Sequence, residues 1–414
     1  DIARGFIMDL NAIKRKRYVY LFASALSFLV LGLVYAWSLF ATPLAEIYGW
    51  EMSAVKMTFT FCMISFCVGG LIGVKVLKGL GLRGAILLAA CLLVCGFAGT
   101  ALLASKGIWA LYICYGVLIG CGTGLGYNVT IASITPWFPD KSGFASGVMF
   151  AGFGLGSLTL GTLTRNIIAA AGITAAFAVV AATAGIVMVL LSLLLRRAPE
   201  NIGELMGVSA KKTKTAPDAE ADQRAIFKDP AFYTYYLWAI IILGAGLTMI
   251  GTSMQGALEL GVNEAFAATL VGIIPIVNGF SGFSMGVVYD KMGLRWCMIL
   301  VAAIAFVSLG MLAISFQLGA GALYVAGCLV LVIAYGSVAP LAAGFARERY
   351  GNERYPRHLA IVNTDIAGGS AFQQAVSSAC AGASPAIYAA MAVFGAVALA
   401  TSAVHARITK PKKG

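Results

Sequence analysis

The sequence predicts an all-helical (all-α), polytopic membrane protein with twelve transmembrane helices in two pseudo-symmetric six-helix bundles. Three observations carry this. The first is composition: of 414 residues, 60% are hydrophobic and only 11% charged, against roughly a quarter charged in soluble chains. The second is the length of the apolar runs, which are continuous and close to the ~20 residues that cross hydrocarbon as a helix, without the short alternating segments of membrane strands. The third is a loop sequence that returns in the second half of the chain.

The apolar runs fall at 18–43, 54–76, 84–104, 108–134, 143–168, 172–195, 231–256, 265–288, 296–316, 320–345, 358–380 and 384–406. They imply five segments: an N-terminal segment at 1–17, a first bundle at 18–195, a linker at 196–230, a second bundle at 231–406 and a tail at 407–414. The opening shows no cleavable signal peptide, and Met8 reads as a natural start. The lead at 9–17 is basic and anchors span 1 at the membrane surface. Span 1 itself carries Tyr35-Ala-Trp-Ser38 and Pro43, and Trp50 and Glu51 follow at an interface where an amphipathic ring is comfortable.

After span 2 the chain reads Gly73-Val-Lys-Val-Leu-Lys78-Gly-Leu-Gly81-Leu-Arg83. After span 8 it reads Gly286-Val-Val-Tyr-Asp290-Lys291-Met-Gly293-Leu-Arg295. The glycines suit a tight turn, and Asp290 suits pairing with basic groups or a helix N-terminus. Gly286, Asp290, Lys291 and Arg295 are therefore the expected conformational gating residues. A related loop after the same number of spans indicates a duplicated six-helix unit, an architecture of membrane carriers.

Charge sorts by side. The formal net charge is +12. With a cytoplasmic N-terminus, Lys14, Arg15, Lys16, Arg17, Lys78, Arg83, Lys141, Arg196, Arg197, Lys211, Lys212, Lys214, Lys291, Arg295, Arg347, Arg349, Arg354, Arg357, Lys410, Lys412 and Lys413 all fall inside. Lys56, Lys106 and Arg165 fall toward the other face. The expectation is a multi-pass protein of the inner (cytoplasmic) membrane with both termini cytoplasmic, its basic excess serving the membrane surface and not nucleic acid.

Nine cysteines (62, 67, 91, 95, 114, 121, 297, 328 and 380) lie in or at the ends of spans without a CxxC pair, and read as small apolar packing residues. His358 and His405 are the two histidines, both near span ends, so no metal, cofactor or catalytic centre is expected. No P-loop is present, which disfavours ATP-driven work. Polar residues of the linker, among them Glu200, Glu204, Asp218, Glu220 and Asp222, read as solvated charges, with room for a short interfacial helix.

Spans 4 and 5 carry the most specific pattern. Tyr115 to Asn128 contains Gly116, Gly120 and Gly124 at four-residue spacing, one smooth helix face that admits a close neighbour. It is followed by Trp137-Phe-Pro-Asp140-Lys141-Ser-Gly143-Phe-Ala-Ser-Gly147 and by Ala151-Gly152-Phe-Gly154-Leu-Gly156. Together with the repeated loop, this series resembles the major facilitator superfamily. Within it, the chain is similar to the oxalate/formate antiporter family and its monocarboxylate-transporter relatives, over essentially its whole length.

The resemblance implies secondary transport, not catalysis. A small organic acid, of monocarboxylate or oxalate/formate type, would cross by alternating access, coupled to protons or to a counter-anion, in a monomeric carrier with a central site. Oxalate-type members hold their anion with basic side chains in spans 8 and 11. This sequence departs from that pattern. No Lys or Arg lies between Asn278 and Tyr289, Gly282 stands near the expected arginine, and Asp365 stands about where the lysine would be.

Span 11 therefore attracts most attention. In Arg357 to Gln374 the residues Asn363, Thr364 and Asp365 interrupt an apolar segment, and an unpaired charge in hydrocarbon costs at least a few kcal/mol. Three readings of Asp365 stay open: a proton-coupling group, because a carboxyl out of water is cheaper as the neutral acid; a counter-ion for a cationic, zwitterionic or neutral-solute carrier; and a structural acid bonded to Thr364, a tyrosine or a carbonyl. The substrate-binding candidates are Asp365, Asn363, Asn278, Tyr127, Asn128, Tyr35, Tyr335 and Gln374, with Gln373 beside them. Pro275 and Pro340 are expected bends. A membrane receptor on the same fold is the alternative of another class, and would be expected to carry a large extramembrane domain.

Overall fold

The computed structural model describes residues 2–199, 201–206, 223–351, 355–380 and 384–409, and these are helical nearly throughout, with no strand among them. Glu200, Arg354, most of the linker (207–222, including Lys211, Lys212, Lys214, Asp218, Glu220 and Asp222), and Lys410, Lys412 and Lys413 lie outside the described residues.

Among the described residues, nine helices are long and apolar enough to cross a membrane. Two of these are pairs of spans joined end to end. Ser142–Leu194 turns at Gly172 (φ 83) and Glu264–Leu318 turns at Gly293 (φ 74), a backbone conformation that side chains with a Cβ rarely adopt. One further span is divided into Tyr355–Val362 and Asp365–Ala379, each too short to count alone. The twelve spans of the facilitator architecture are thus present: Ile13–Ala36, Met52–Gly79, Gly81–Leu103, Ile108–Trp137, 142–171, 173–194, Pro230–Glu259, 264–292, 294–318, Gly321–Tyr350, 355–379 and Ser384–Ile408, numbered here 1 to 12 in that order.

The chain forms two compact units. Residues 1–211 and 350–363 make the first, and residues 212–349 and 364–414 the second. In the first, span 1 packs on span 5, span 2 on span 4 and span 3 on span 6. The glycine stripe explains the second of these: a Cβ at Gly120 would collide with the carbonyl of Cys62, and one at Gly124 with the carbonyl of Phe66. Tyr355–Val362 also belongs to this unit and rests on spans 2 and 4.

The second unit repeats the scheme. Span 7 packs on span 11, span 8 on span 10 and span 9 on span 12. Gly368 and Gly369 let span 11 approach Ile240 and Leu243 of span 7, and a Cβ at Gly244 would meet the Phe372 ring and the Gly369 carbonyl. The repeated loop supports the duplication in backbone terms as well, because Gly81 (φ 70) and Gly293 (φ 74) take the same left-handed turn before Leu-Arg.

Two details differ from expectation. Span 11, read as one run at 358–380, is two half-helices that meet in a turn at Asn363 and Thr364, where the Asn363 N–H still bonds the Leu359 carbonyl and the Thr364 carbonyl still accepts the Gly368 N–H. The cysteines do not all pack inward either: Cys62, Cys67, Cys114, Cys297 and Cys328 are buried, whereas Cys91 and Cys95 are exposed one turn apart on span 3. Pro275 and Pro340 lie within helices that continue past them.

Candidate functional site

The break in span 11 sets the geometry of the second unit. Thr364 precedes the half-helix Asp365–Ala379 without a side-chain capping bond, and its hydroxyl lies 2.9 Å from the Tyr236 hydroxyl of span 7. Asp365 opens the first turn, where the helix dipole favours a negative charge, and its carboxyl accepts the Ile366 backbone N–H. It is 2% exposed, and its Oδ2 has no hydrogen-bond partner. Gly368 and Gly369, three and four residues on, share its helix face and meet span 7, so Asp365 lies on the span 7 side.

A buried carboxyl oxygen without a donor is costly to keep charged and cheap to keep protonated. Lysine and arginine in the described part of this unit are confined to span ends, at Lys228, Lys291, Arg295, Arg347, Arg349 and Arg407. The chemistry available at this break is thus a buried carboxyl that follows the Thr364–Tyr236 hydroxyl pair in the chain, suited to taking up and releasing a proton or to facing a cation.

Farther along the same unit, the Asn278 side chain meets span 10 at Gly336, the neighbour of Tyr335 in the chain, and the Tyr335 ring covers Gly246 of span 7. The Asn278 Oδ1 is buried without a partner, and Ser281 Oγ donates to the Asn278 carbonyl at 2.8 Å. Gly246 is ten residues beyond Tyr236, about 15 Å along a helix, so this pair sits at a different depth from Thr364. Gln374 is exposed and bonds to Ser378 of its own helix.

The remaining candidates lie in the first unit. Asn128 Nδ2 donates to the Gly124 carbonyl at 3.0 Å, and Asn128 Oδ1 accepts Asn363 Nδ2 at 3.0 Å. Both asparagines are 3% exposed, and Cys67 Sγ reaches the Asn363 carbonyl. Tyr127 stacks on Phe28 (5.3 Å between ring centres) and meets Phe66, Phe150 and Phe153 edge-on or tilted. Tyr35 joins that aromatic cluster through Phe153 and Phe59.

At the repeated loop, Gly286 is buried, Asp290 and Lys291 are exposed, and the Arg295 guanidinium lies over Trp296. Tyr289, next to Asp290, is buried against Gly344 and hydrogen-bonds Glu348 of span 10.

Three partnerships were not anticipated from sequence. Tyr236 was one tyrosine in the run Tyr233-Thr-Tyr-Tyr236 with nothing to single it out. Arg17 holds Asp140 with both guanidinium nitrogens (2.6 and 3.2 Å), and Arg349 holds Asp229 in the same way (2.7 and 3.0 Å). A signal for these two pairs did exist: they close loops of 123 and 120 residues, starting in each case just before the first span of a unit.

The sequence profile of the Major Facilitator Superfamily matches residues 20–374. The chain belongs to the major facilitator superfamily. Among relatives of this superfamily member, the oxalate:formate antiporter of Oxalobacter formigenes is 27% identical over 278 residues, 67% of this chain and 64% of that protein. The chain thus aligns with somewhat less than two thirds of that relative. Monocarboxylate transporter 9 of Gallus gallus is 31% identical over 78 residues, 19% of this chain and 15% of that protein. Among solved structures, the proton:xylose symporter XylE bound to 6-bromo-6-deoxy-D-glucose aligns with a TM-score of 0.72 at 17% identity, covering 93% of this chain and 95% of that one. That likeness is one of fold.

Proposed function

We propose that this transporter moves a small organic acid of the monocarboxylate or oxalate/formate type, with Asp365 as the proton-coupling group. The observation that carries this is the Asp365 carboxyl: 2% exposed, one oxygen without a donor, at the start of a half-helix within span 11. Protonated, it places no negative charge beside a bound anion. Ionised, it repels one, and at low effective dielectric that repulsion amounts to several kcal/mol. Substrate anion and proton would therefore load together. Similarity to the oxalate:formate antiporter supports the substrate class.

The acid would be held by neutral donors and not by a cationic fork, because away from the span ends the described part of the second unit offers Thr364 and Tyr236 at the depth of Asp365, and Asn278 and Tyr335 farther along, but no Lys or Arg. Such bonds are weaker than charge-assisted ones, which favours a carrier of modest affinity. We assign the protein to the inner membrane with both termini cytoplasmic, on the strength of the basic residues gathered at the linker end of the spans. Gly286, Asp290, Lys291 and Arg295 would serve the opening of that side.

The same carboxyl also suits a counter-ion for a cationic substrate, and one experiment separates the two. Thermal unfolding of the purified protein is followed against carboxylates, amines and neutral solutes at two pH values, since a ligand that binds only the folded form raises the unfolding temperature. Stabilisation by monocarboxylates that grows at the lower pH is expected. Stabilisation by amines that grows at the higher pH would replace the organic-acid reading with the counter-ion one.

A further inference from the structure

The linker end of the first unit is a stitched, strongly basic surface that the transport reading does not use. Arg17 before span 1 holds Asp140 after span 4, and Tyr18 and Tyr20 meet Phe138 and Trp137 edge-on. Trp137 Nε1 donates to the Arg196 carbonyl at the end of span 6, and Arg197 donates to the Leu77 carbonyl at the end of span 2. Four span ends are thereby fixed to one another.

From this rim Lys14, Lys16, Lys78, Arg83, Lys141 and Arg197 are all exposed. Among the described side chains, the one carboxylate here is Asp140, and Arg17 already engages both its oxygens. The corresponding end of the second unit is different in kind, since Asp229, Asp290 and Glu348 are interspersed with its cations. Next to this rim on span 1, Tyr18 (46% exposed) and Phe22 (73%) face outward, and Leu80 (63%) is exposed in the turn between Lys78 and Arg83. Tyr18 and Phe22 are one helical turn apart on the same face, in the place where aromatic rings sit at the level of lipid headgroups.

We propose that this rim is a binding surface for anionic phospholipid, with headgroup phosphates held by the lysine and arginine side chains and acyl chains lying along Tyr18, Phe22 and Leu80. Fixed cations without neighbouring free carboxylates attract phosphate. The exposed apolar residues beside them distinguish a lipid from a free phosphate, because only a lipid occupies both zones.

The test uses the full chain in detergent, with phosphatidylglycerol, phosphatidylcholine and inorganic phosphate as probes and bound lipid counted by native mass spectrometry. Phosphatidylglycerol should be retained in preference to phosphatidylcholine. The variant Lys14→Gln/Lys16→Gln/Lys78→Gln/Arg83→Gln, all at exposed positions, should weaken retention by about tenfold or more. A charge-keeping variant, Lys14→Arg/Lys16→Arg/Lys78→Arg, should retain it. Lys228→Gln/Lys291→Gln/Arg407→Gln in the second unit should also leave it in place. Equal retention of the two lipids, equal loss in the two neutralised variants, or displacement of phosphatidylglycerol by inorganic phosphate at matched concentration would each overturn the proposal.

Discussion

The two units share a scaffold and differ in what fills it. In the first, the middle of the bundle is an aromatic cluster in which Tyr127 is surrounded by Phe28, Phe66, Phe150 and Phe153, with span 5 continuous through this depth. In the second, the equivalent place is taken by the half-helix Asp365–Ala379, which follows the turn at Asn363 and Thr364 and carries a buried acid in its first turn. The difference is one of polarity more than of regularity: the duplicated fold keeps its helix pairings, and the first unit has irregular helical turns of its own at Gly32–Ala36, Tyr112–Ile119 and Ser157–Gly161, whereas the buried acid is in the second. Irregular backbone at membrane depth is tolerated where it lines a protein-enclosed site.

The linker ends show the same contrast in charge. Each unit ties the start of its first span to the end of its fourth, or to the residues just after it, by an arginine–aspartate pair, but the signs are exchanged: Arg17 with Asp140, and Asp229 with Arg349. Burial is exchanged too. The Arg17 side chain is 7% exposed and lies over the Tyr18 and Phe138 rings, whereas the Arg349 side chain is 44% exposed. Asp229 has a second task, accepting the Ala231 N–H as the cap of span 7.

The contrast in mid-membrane chemistry is tested most severely at Asp365. Asp365→Asn keeps the shape and removes the titrating group, so proton-driven uptake should fall at least about tenfold, or about 1.4 kcal/mol in barrier height. Exchange of pre-loaded substrate should persist. Undiminished uptake driven by a pH gradient in this variant, measured in proteoliposomes, would show that the polar break is structural and that the units do not differ in the way argued.

A smaller effect should separate the two ion pairs. Arg17→Ala strands a half-buried Asp140 and removes two ring contacts, with an expected cost of about 2–3 kcal/mol. Arg349→Ala removes an exposed guanidinium, and the Asp229 it leaves, although only 10% exposed, still accepts its capping N–H, at about 1 kcal/mol or less. Thermal unfolding in detergent should therefore show the larger drop for Arg17→Ala, and equal drops would erase the distinction.

The smallest change is expected from Tyr236→Phe, which deletes one hydroxyl next to Thr364. A loss of about 1 kcal/mol in stability is anticipated, with uptake reduced less than in Asp365→Asn. A transport defect as deep as that of the aspartate variant would instead make Tyr236 part of the proton route.

Much of the fold was legible because a membrane enforces local rules. Every spanning segment must satisfy its own backbone, so long apolar runs mean helices, and turns such as those at Gly81 and Gly293 announce themselves through glycine. Asp365 stood out for the same reason, as an acid where hydrocarbon was expected. The glycine stripe of span 4 also did what its spacing implied, meeting span 2 at Cys62 and Phe66. Asn128 and Asn363 were both visible as polar residues, but not as a bonded pair, because nothing local links positions 235 residues apart.

By itself, then, the sequence determined the twelve helical spans, the duplication, and the presence of an acid in span 11, since each follows from residue type and spacing against a solvent that cannot hydrogen-bond. Tertiary structure alone decided that span 11 is two half-helices, that Tyr236 answers Thr364, and that Asn128 is already engaged by Asn363. It also decided that the exposed cations of the first unit lie together on one rim. These depend on which helix faces meet, and hydrogen bonds between distant spans are set by packing geometry, which no local pattern encodes.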